Sequence, residues 1–120
     1  ANLELMENTN ILDQVKNNTA PYLASKWKEI ENHPLVGEAR QLGMLAAIEI
    51  VEDKESCKRF ENSGEVVGIC RDLCYENGIV MRAIKNKMVI APPLICNNDH
   101  IDEILEKVWK CLDLTAKSIK

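Results

Sequence analysis

One arginine, Arg82, lies in an otherwise apolar stretch and is the residue of this sequence best suited to bind an anion. Two short apolar runs, 78–84 and 88–91, flank the polar turn 85–87, and a proline pair, Pro92-Pro93, ends the second run. This pattern predicts a β-hairpin closed by residues that cannot continue a sheet ladder. A guanidinium placed there needs an anion or an open cleft to offset its desolvation, and its planar fork of donors matches a carboxylate.

Two interpretations of Arg82 are open at this point. In the first, Arg82 binds the carboxylate of a ligand. In the second, it forms a structural ion pair with a nearby glutamate such as Glu49, since structural ion pairs are common.

The other chemically capable residues favour structural roles. The five cysteines are odd in number and irregularly spaced, which predicts reduced thiols, and Cys70 and Cys74 fall on one face of a predicted helix as buried thiols. The two histidines, His33 and His100, are isolated, so no metal site is predicted. Lys85 and Lys87 are expected to be solvated turn residues, without the burial or cationic neighbours that a Schiff-base lysine needs. No residue of the chain is therefore predicted to be catalytic.

Composition limits the class of protein. With 120 residues and 46% hydrophobic content, the chain has the size and the apolar material of one globular domain. A net charge of −4 and 4% aromatic residues argue against nucleic-acid binding. No apolar run is long enough to cross a bilayer, and residues 1–5 show no signal-peptide pattern. We expect a soluble, cytoplasmic protein.

Hydrophobic periodicity predicts an α+β fold with helices packed on a mostly antiparallel sheet, in the order α-ββ-α-ββ-α. A helical segment is predicted over 3–32 from an apolar stripe that includes Leu5 and Leu12, and it is expected to kink or break near Thr19 and Ala20, because Pro21 follows. The other predicted elements are strands at 36–42 and 44–51 joined at Gly43, a solvated connection over 52–62 with one helical turn, a helix from Ser63 or Gly64 to Asn77 with Gly78 after it, the hairpin, and a last helix capped by Asn97 or Asn98.

Two blocks of this sequence resemble one family. The block at 78–95, Gly-Ile-Val-Met-Arg through Ala-Pro-Pro-Leu-Ile, and the block at 33–50, which begins His-Pro-Leu-Val-Gly-Glu-Ala-Arg, are similar to the C-terminal small domain of class III, fold-type I, pyridoxal-phosphate aminotransferases of the ω-aminotransferase group. The order and separation of the blocks also fit, and two linked motifs are more specific than one.

The resemblance implies a domain plan and a role for Arg82. Residues 1–120 would be one domain, in which 1–32 is a helical lead-in from a missing large domain and 33–120 is the small domain. In the family, an arginine ten residues before the first proline of the pair binds the substrate carboxylate, and in many members it swings out when the substrate has none. Arg82 and Pro92 have this spacing.

The chain also departs from the family pattern. Gln41 stands where members commonly have the first glycine of Arg-Gly-x-Gly, and Lys85-Asn86 replaces a frequent Gly-Asp or Gly-Gln pair. We expect Arg40, in the first of these blocks, to be structural, as an edge-of-strand cation or an interdomain contact.

The resemblance further implies pyridoxal phosphate as cofactor, with the lysine, the acidic partner and the phosphate site all supplied by the large domain. The enzyme would be a homodimer that moves an amino group from an amine or ω-amino acid to a keto acid such as pyruvate, and this chain alone would be inactive. Two alternatives are a free-standing α+β module that binds a small anion or a protein partner, and, more weakly, a thiol-based redox protein.

Overall fold

A four-stranded antiparallel sheet forms the centre of the protein in the computed structural model, which describes residues 2–93 and 96–119. The strands are β1 (Val36–Leu42), β2 (Leu45–Ile50), β3 (Arg82–Ile84) and β4 (Lys87–Ile90), and their spatial order is β1-β2-β4-β3. All three neighbouring pairs are antiparallel. The α+β class and the antiparallel sheet are therefore confirmed. Leu94 and Ile95, at the end of the predicted proline motif, lie outside the described residues.

The sheet has one buried face and one open face, because side chains alternate along each strand. Helices cover the first face, which supplies much of the core. Its buried residues on the strands include Ala46, Ile48, Ile50, Met88 and Ile90. The open face carries, in cross-strand register, Glu38, Arg40 and Leu42 of β1, Leu45, Ala47 and Glu49 of β2, Lys87 and Val89 of β4, and Arg82 and Ile84 of β3.

A succession of helical segments precedes the sheet, where the predicted order had a single leading helix. The segments are α1 (Asn2–Thr9), α2 (Ile11–Gln14), a π-helical turn (Val15–Thr19), α3 (Ala20–Glu29) and a 3₁₀ turn (Ile30–Asn32).

Of the predicted kink or break near Thr19 and Ala20, the break does not occur, since both residues have right-handed helical backbone angles; the helix widens there into the π turn that ends at Thr19. The wide π turn absorbs Pro21: the N–H of Ala20 bonds to the carbonyl of Val15, five residues back, and Pro21 falls in the first turn of α3, where its missing N–H is tolerated. The helix is interrupted instead at Asn10, which has a left-handed φ of 52°.

Two long helices complete the core: the first packs against β3 and β4, and the second packs against the first and against α3. The first, α4 (Ser63–Glu76), is followed by Gly78 with φ 84°, as predicted for a residue just past a helix end. The second, α5 (Asn98–Ser118), begins with a capping box in which the side chain of Asn97 accepts from the backbone N–H of His100 and the ring of His100 accepts from the backbone N–H of Asn97. The predicted starts of both helices and the predicted end of α4 are confirmed.

Two further expectations are corrected. The connection over 52–62 has no helical turn; it folds back through an isolated antiparallel bridge between Asp53 and Lys58. Leu5 and Leu12, which fit the predicted apolar stripe of the lead-in, are more than 60% exposed. Within the described ranges, none of the helices combines the length and the apolar character that a bilayer-crossing segment requires.

Candidate functional site

Arg82 is the first residue of β3, an edge strand, and its side chain belongs to the open face of the sheet. Directly opposite it on β4 is Val89, which cannot accept a hydrogen bond. The same row continues through Ala47 of β2 to Arg40 of β1. Three strand spacings of about 4.8 Å place the backbones of the two arginines roughly 14 Å apart. Two small apolar side chains therefore separate the arginines.

The guanidinium of Arg82 is exposed to solvent. None of the ion pairs formed among residues 2–93 and 96–119 includes Arg82. Its diagonal neighbour on β4 is Lys87, a second cation. Arg82 does not line any of the five surface clefts that we identified in this part of the chain. The site is thus an open cationic patch, and a pocket around it would need further protein.

Glu49, the proposed ion-pair partner of Arg82, is occupied by other groups. Its Oε1 lies 3.3 Å from Nη2 of Arg59 and accepts a hydrogen bond of 2.9 Å from Nδ2 of Asn86. Its Oε2 lies 3.6 Å from Nη2 of Arg40. The structural ion pair between Arg82 and Glu49, which was one of the two open interpretations, is therefore not present in the structure.

Arg40 is held within β1 and β2. Its Nη2 donates to Oε2 of Glu38 at 2.9 Å, and this hydrogen bond, reinforced by the charges of Glu38 and Glu49, raises the pKa of the guanidinium. These contacts are those of a structural cation at the edge of the sheet, as expected for Arg40.

Three buried thiols, Cys70, Cys74 and Cys111, lie where α4 packs against α5. A hydrogen bond from the thiol of Cys74 lowers the pKa of Cys70, whereas that bond and burial raise the pKa of Cys74. Burial is also the main cause that raises the pKa of Cys111. All five cysteines are free thiols. In the described part of the chain, no three His, Cys, Asp or Glu side chains are grouped as metal ligands would be.

Two contributors to the site were missed in the sequence. Arg59 lies in the connection interpreted as solvated, and Asn86 lies in the hairpin turn, yet both contact Glu49. The contact of either residue with Glu49 could not be predicted from residue type, because arginine is common in exposed loops and asparagine is common in turns for its backbone preferences.

Comparison with known proteins identifies the family. Residues 1–112 match the family model described as aminotransferase class-III. The chain is 44% identical over 118 residues to the putrescine–pyruvate aminotransferase of Pseudomonas aeruginosa, covering 98% of this chain and 26% of that protein. It is 31% identical over 113 residues to an adenosylmethionine-8-amino-7-oxononanoate aminotransferase of Geobacter sulfurreducens, covering 93% of this chain and 24% of that protein.

Solved structures agree with the sequence matches. A transaminase with L-alanine superimposes with a TM-score of 0.92 at 27% identity, over 99% of this chain and 28% of the other. The ω-transaminase from Pseudomonas jessenii in complex with PMP gives a TM-score of 0.88 at 29% identity, over 97% of this chain and 25% of the other. This chain therefore spans about a quarter of the length of its relatives. Since the family model covers nearly all of its residues, the chain belongs to the class III aminotransferases.

Proposed function

We propose that the enzyme carrying this chain transfers an amino group from an amine or ω-amino acid to a keto acid such as pyruvate, and that Arg82 binds the carboxylate of the keto acid. The observation that carries the proposal is the state of Arg82: its side chain is exposed on the open face, while Glu49, the carboxylate considered as its structural partner, is held by Arg59, Arg40 and Asn86. The named activity of the relative from P. aeruginosa supports the choice of amine and keto acid.

The chemistry of recognition follows from the guanidinium. Two parallel N–H donors of Arg82 match the two oxygens of a carboxylate, and a hydrogen bond between two charged groups is stronger than one between neutral groups. The neighbouring Lys87 adds positive potential. Because its ammonium can only donate hydrogen bonds, it does not compete with the substrate carboxylate for the N–H groups of Arg82. A keto acid is thereby oriented by its carboxylate end, and its carbonyl carbon points away from the sheet toward the rest of the enzyme.

Pyridoxal phosphate, the cofactor implied by the family, does not fit the residues of this chain alone. In the described residues every lysine is at least partly exposed, and the three that are partly covered are Lys26, Lys87 and Lys107. None has the buried setting that lowers the pKa of a Schiff-base lysine. We propose that the cofactor lysine and phosphate site belong to a large domain of the same polypeptide and that this chain alone is inactive.

The open face is the surface on which we expect that domain to pack. It carries exposed apolar side chains: Leu42 is 82% exposed, and Leu45, opposite it in register, is 51% exposed. A monomeric soluble domain seldom leaves such a patch uncovered. An apolar dye should therefore fluoresce with this isolated chain and much less with the intact enzyme, whereas equal dye binding would contradict this packing. The homodimer and the cytoplasmic location stay predictions, which mass photometry and cell fractionation can check.

The test of the proposed function compares two acceptors in the holoenzyme. Arg82→Ala should raise the KM for pyruvate about 10- to 100-fold, the loss expected for charge-assisted hydrogen bonds, and should leave the KM for butanal, which has no carboxylate, within about 2-fold. The KM of Arg82→Lys for pyruvate should lie between those of the parent and Arg82→Ala, because a lysine ammonium keeps the positive charge but lacks the two parallel donors of a guanidinium. Equal changes for both acceptors, or no change, would refute the role of Arg82.

For the cofactor, adding pyridoxal phosphate to this chain alone should give the spectrum of the free cofactor. A stable, protein-bound absorbance would overturn the assignment of the cofactor site to the large domain.

A further inference from the structure

The turn that follows Arg82's strand contains an unusual residue, a polar side chain that is almost completely buried. Asn86 is 3% exposed, although its neighbour in the turn, Lys85, is exposed. Two hydrogen bonds involve this residue: its side-chain Nδ2 donates to Oε1 of Glu49 at 2.9 Å, and its backbone carbonyl accepts the N–H of Ile50 at 2.8 Å. Both bonds tie the β3–β4 turn to β2.

Glu49 is a fixed acceptor for that amide. Its side chain is only 18% exposed, and its oxygens face Arg59, from the 52–62 connection, and Arg40, from β1. Strand β1, the 52–62 connection and the β3–β4 turn therefore meet at one carboxylate. A half-buried carboxylate with several donors keeps its position better than an exposed one, because leaving the donors unpaired is costly.

The strand that carries Arg82 is held by β4 at one edge and by α4 on its buried face. Strand β3 is three residues long, lies at the edge, and pairs only with β4. At its start, the chain is attached to α4 through the bond from the N–H of Ile79 to the carbonyl of Cys74, 2.9 Å. At its end stands Lys85, whose φ of 56° is unfavourable for a residue with a side chain. A turn of this kind tends to relax unless other contacts hold it.

We propose that Asn86 and Glu49 are positioning residues for Arg82: by fastening the β3–β4 turn to β2, they set where the Arg82 guanidinium stands on the open face. This inference rests on the proposed function. Arg82 is two residues from the end of β3, roughly 7 Å along the strand, so a shift of the turn moves the guanidinium with it. A displacement of about 1 Å at a binding group can cost on the order of 100-fold in rate.

The test uses the holoenzyme with pyruvate and butanal as acceptors. Asn86→Asp keeps the size of the side chain but places a second carboxylate next to that of Glu49. Glu49→Gln removes the negative charge that attracts Arg40 and Arg59. Each should raise the KM for pyruvate by about 10-fold and leave the KM for butanal within about 2-fold, since only pyruvate uses Arg82. Lys85→Ala, in the same turn, is the matched control and should change neither KM. A purely structural role would instead alter both acceptors together.

The double variant Arg82→Ala/Asn86→Asp separates the possible outcomes. If Asn86 acts through Arg82, adding Asn86→Asp to Arg82→Ala should not raise the KM for pyruvate further. If Arg82→Ala distinguishes the two acceptors and neither Asn86→Asp nor Glu49→Gln does, the positioning role is wrong and the proposed function stands. If Arg82→Ala itself fails to distinguish them, the proposed function is wrong. Should Asn86→Asp not fold, Glu49→Gln carries the same comparison.

Discussion

The imidazole Nε2 of His33 lies 2.8 Å from Oδ1 of Asp113, and this contact joins the end of the helical lead-in to α5. The other ring nitrogen, Nδ1, accepts the N–H of Leu35 at 3.2 Å, so Nε2 carries the proton and donates to the carboxylate. The ring also meets Trp109 edge-on, with centroids 4.9 Å apart. His33 is 2% exposed, and all of its polar atoms are satisfied.

We expect His33→Ala to lower the free energy of unfolding of this chain by about 2–4 kcal/mol, because it leaves a cavity and removes the acceptor of the Leu35 N–H. Asp113→Ala should cost about 1 kcal/mol or less, since the Asp113 side chain is 55% exposed. Urea unfolding followed by tryptophan fluorescence measures both. Equal losses would show that the hydrogen bond to Asp113, rather than the buried ring, carries the stability.

Two glycines should respond oppositely to alanine. A Cβ on Gly37 would stand 2.7 Å from Cγ1 of Val51, a buried side chain, whereas a Cβ on Gly68, within α4, meets nothing within 4 Å. Gly37→Ala should destabilise the chain by about 1–3 kcal/mol through overpacking, and Gly68→Ala should stabilise it by up to about 1 kcal/mol through helix propensity. Thermal unfolding of the two variants measures the difference. A Gly37→Ala variant as stable as the parent would refute the close contact.

The hydroxyl of Tyr22 in α3 donates to a carboxylate oxygen of Asp102 in α5. This hydrogen bond, with a smaller contribution from burial, raises the pKa of the phenol above its ordinary value. Because the folded-state pKa is raised, the stability from this bond is fully present below the unfolded pKa of about 10 and is lost as the pH rises through the folded pKa.

Ultraviolet difference titration between the parent and Tyr22→Phe isolates this phenol from Tyr75. The midpoint of the difference should lie above 10, and Asp102→Asn should move it down. A midpoint at the ordinary value would mean that the hydrogen bond does not form in solution.

The rate at which each cysteine is labelled by a thiol reagent should follow the solvent exposure of its side chain. With iodoacetamide at neutral pH, Cys57, which is exposed, should be labelled first; Cys96 should follow slowly, because burial raises its pKa. Cys70, Cys74 and Cys111 should react only after denaturation, since all three are buried. Mass spectrometry of peptides assigns the sites. Early labelling of the three buried thiols, or a disulfide among them after mild oxidation, would favour the redox alternative.

The sequence predicted those parts of the fold that local patterns determine. A nearly continuous apolar run and the glycine before it located β2 and the end of β1 to within a residue, and Gly78 and Asn97 marked helix boundaries because their backbone and side-chain preferences act locally. Pro21 signalled an irregularity near Thr19 but not its form, since a π turn can absorb a missing N–H without a break. The interruption at Asn10 was not predicted, although asparagine is one of the few residues that adopts a left-handed conformation readily.

For the candidate site, the sequence identified Arg82 and left its partner open. Which groups surround Glu49 depends on strand register and on contacts between segments far apart in sequence, such as Asn86 and Glu49, 37 residues apart. Side-chain direction in a turn is likewise set by the folded surroundings, so the burial of Asn86 could not be read from residue type.

The alternation along the sheet also has an evolutionary consequence. On β2, every second side chain packs under the helices and the intervening ones face outward, as Ile48 and Glu49 show. Mutations can therefore accumulate at the outward positions and change what the enzyme recognises while the hydrophobic packing beneath remains intact. A sheet with one buried face and one outward face therefore allows related enzymes to diverge in substrate choice while they keep the same fold.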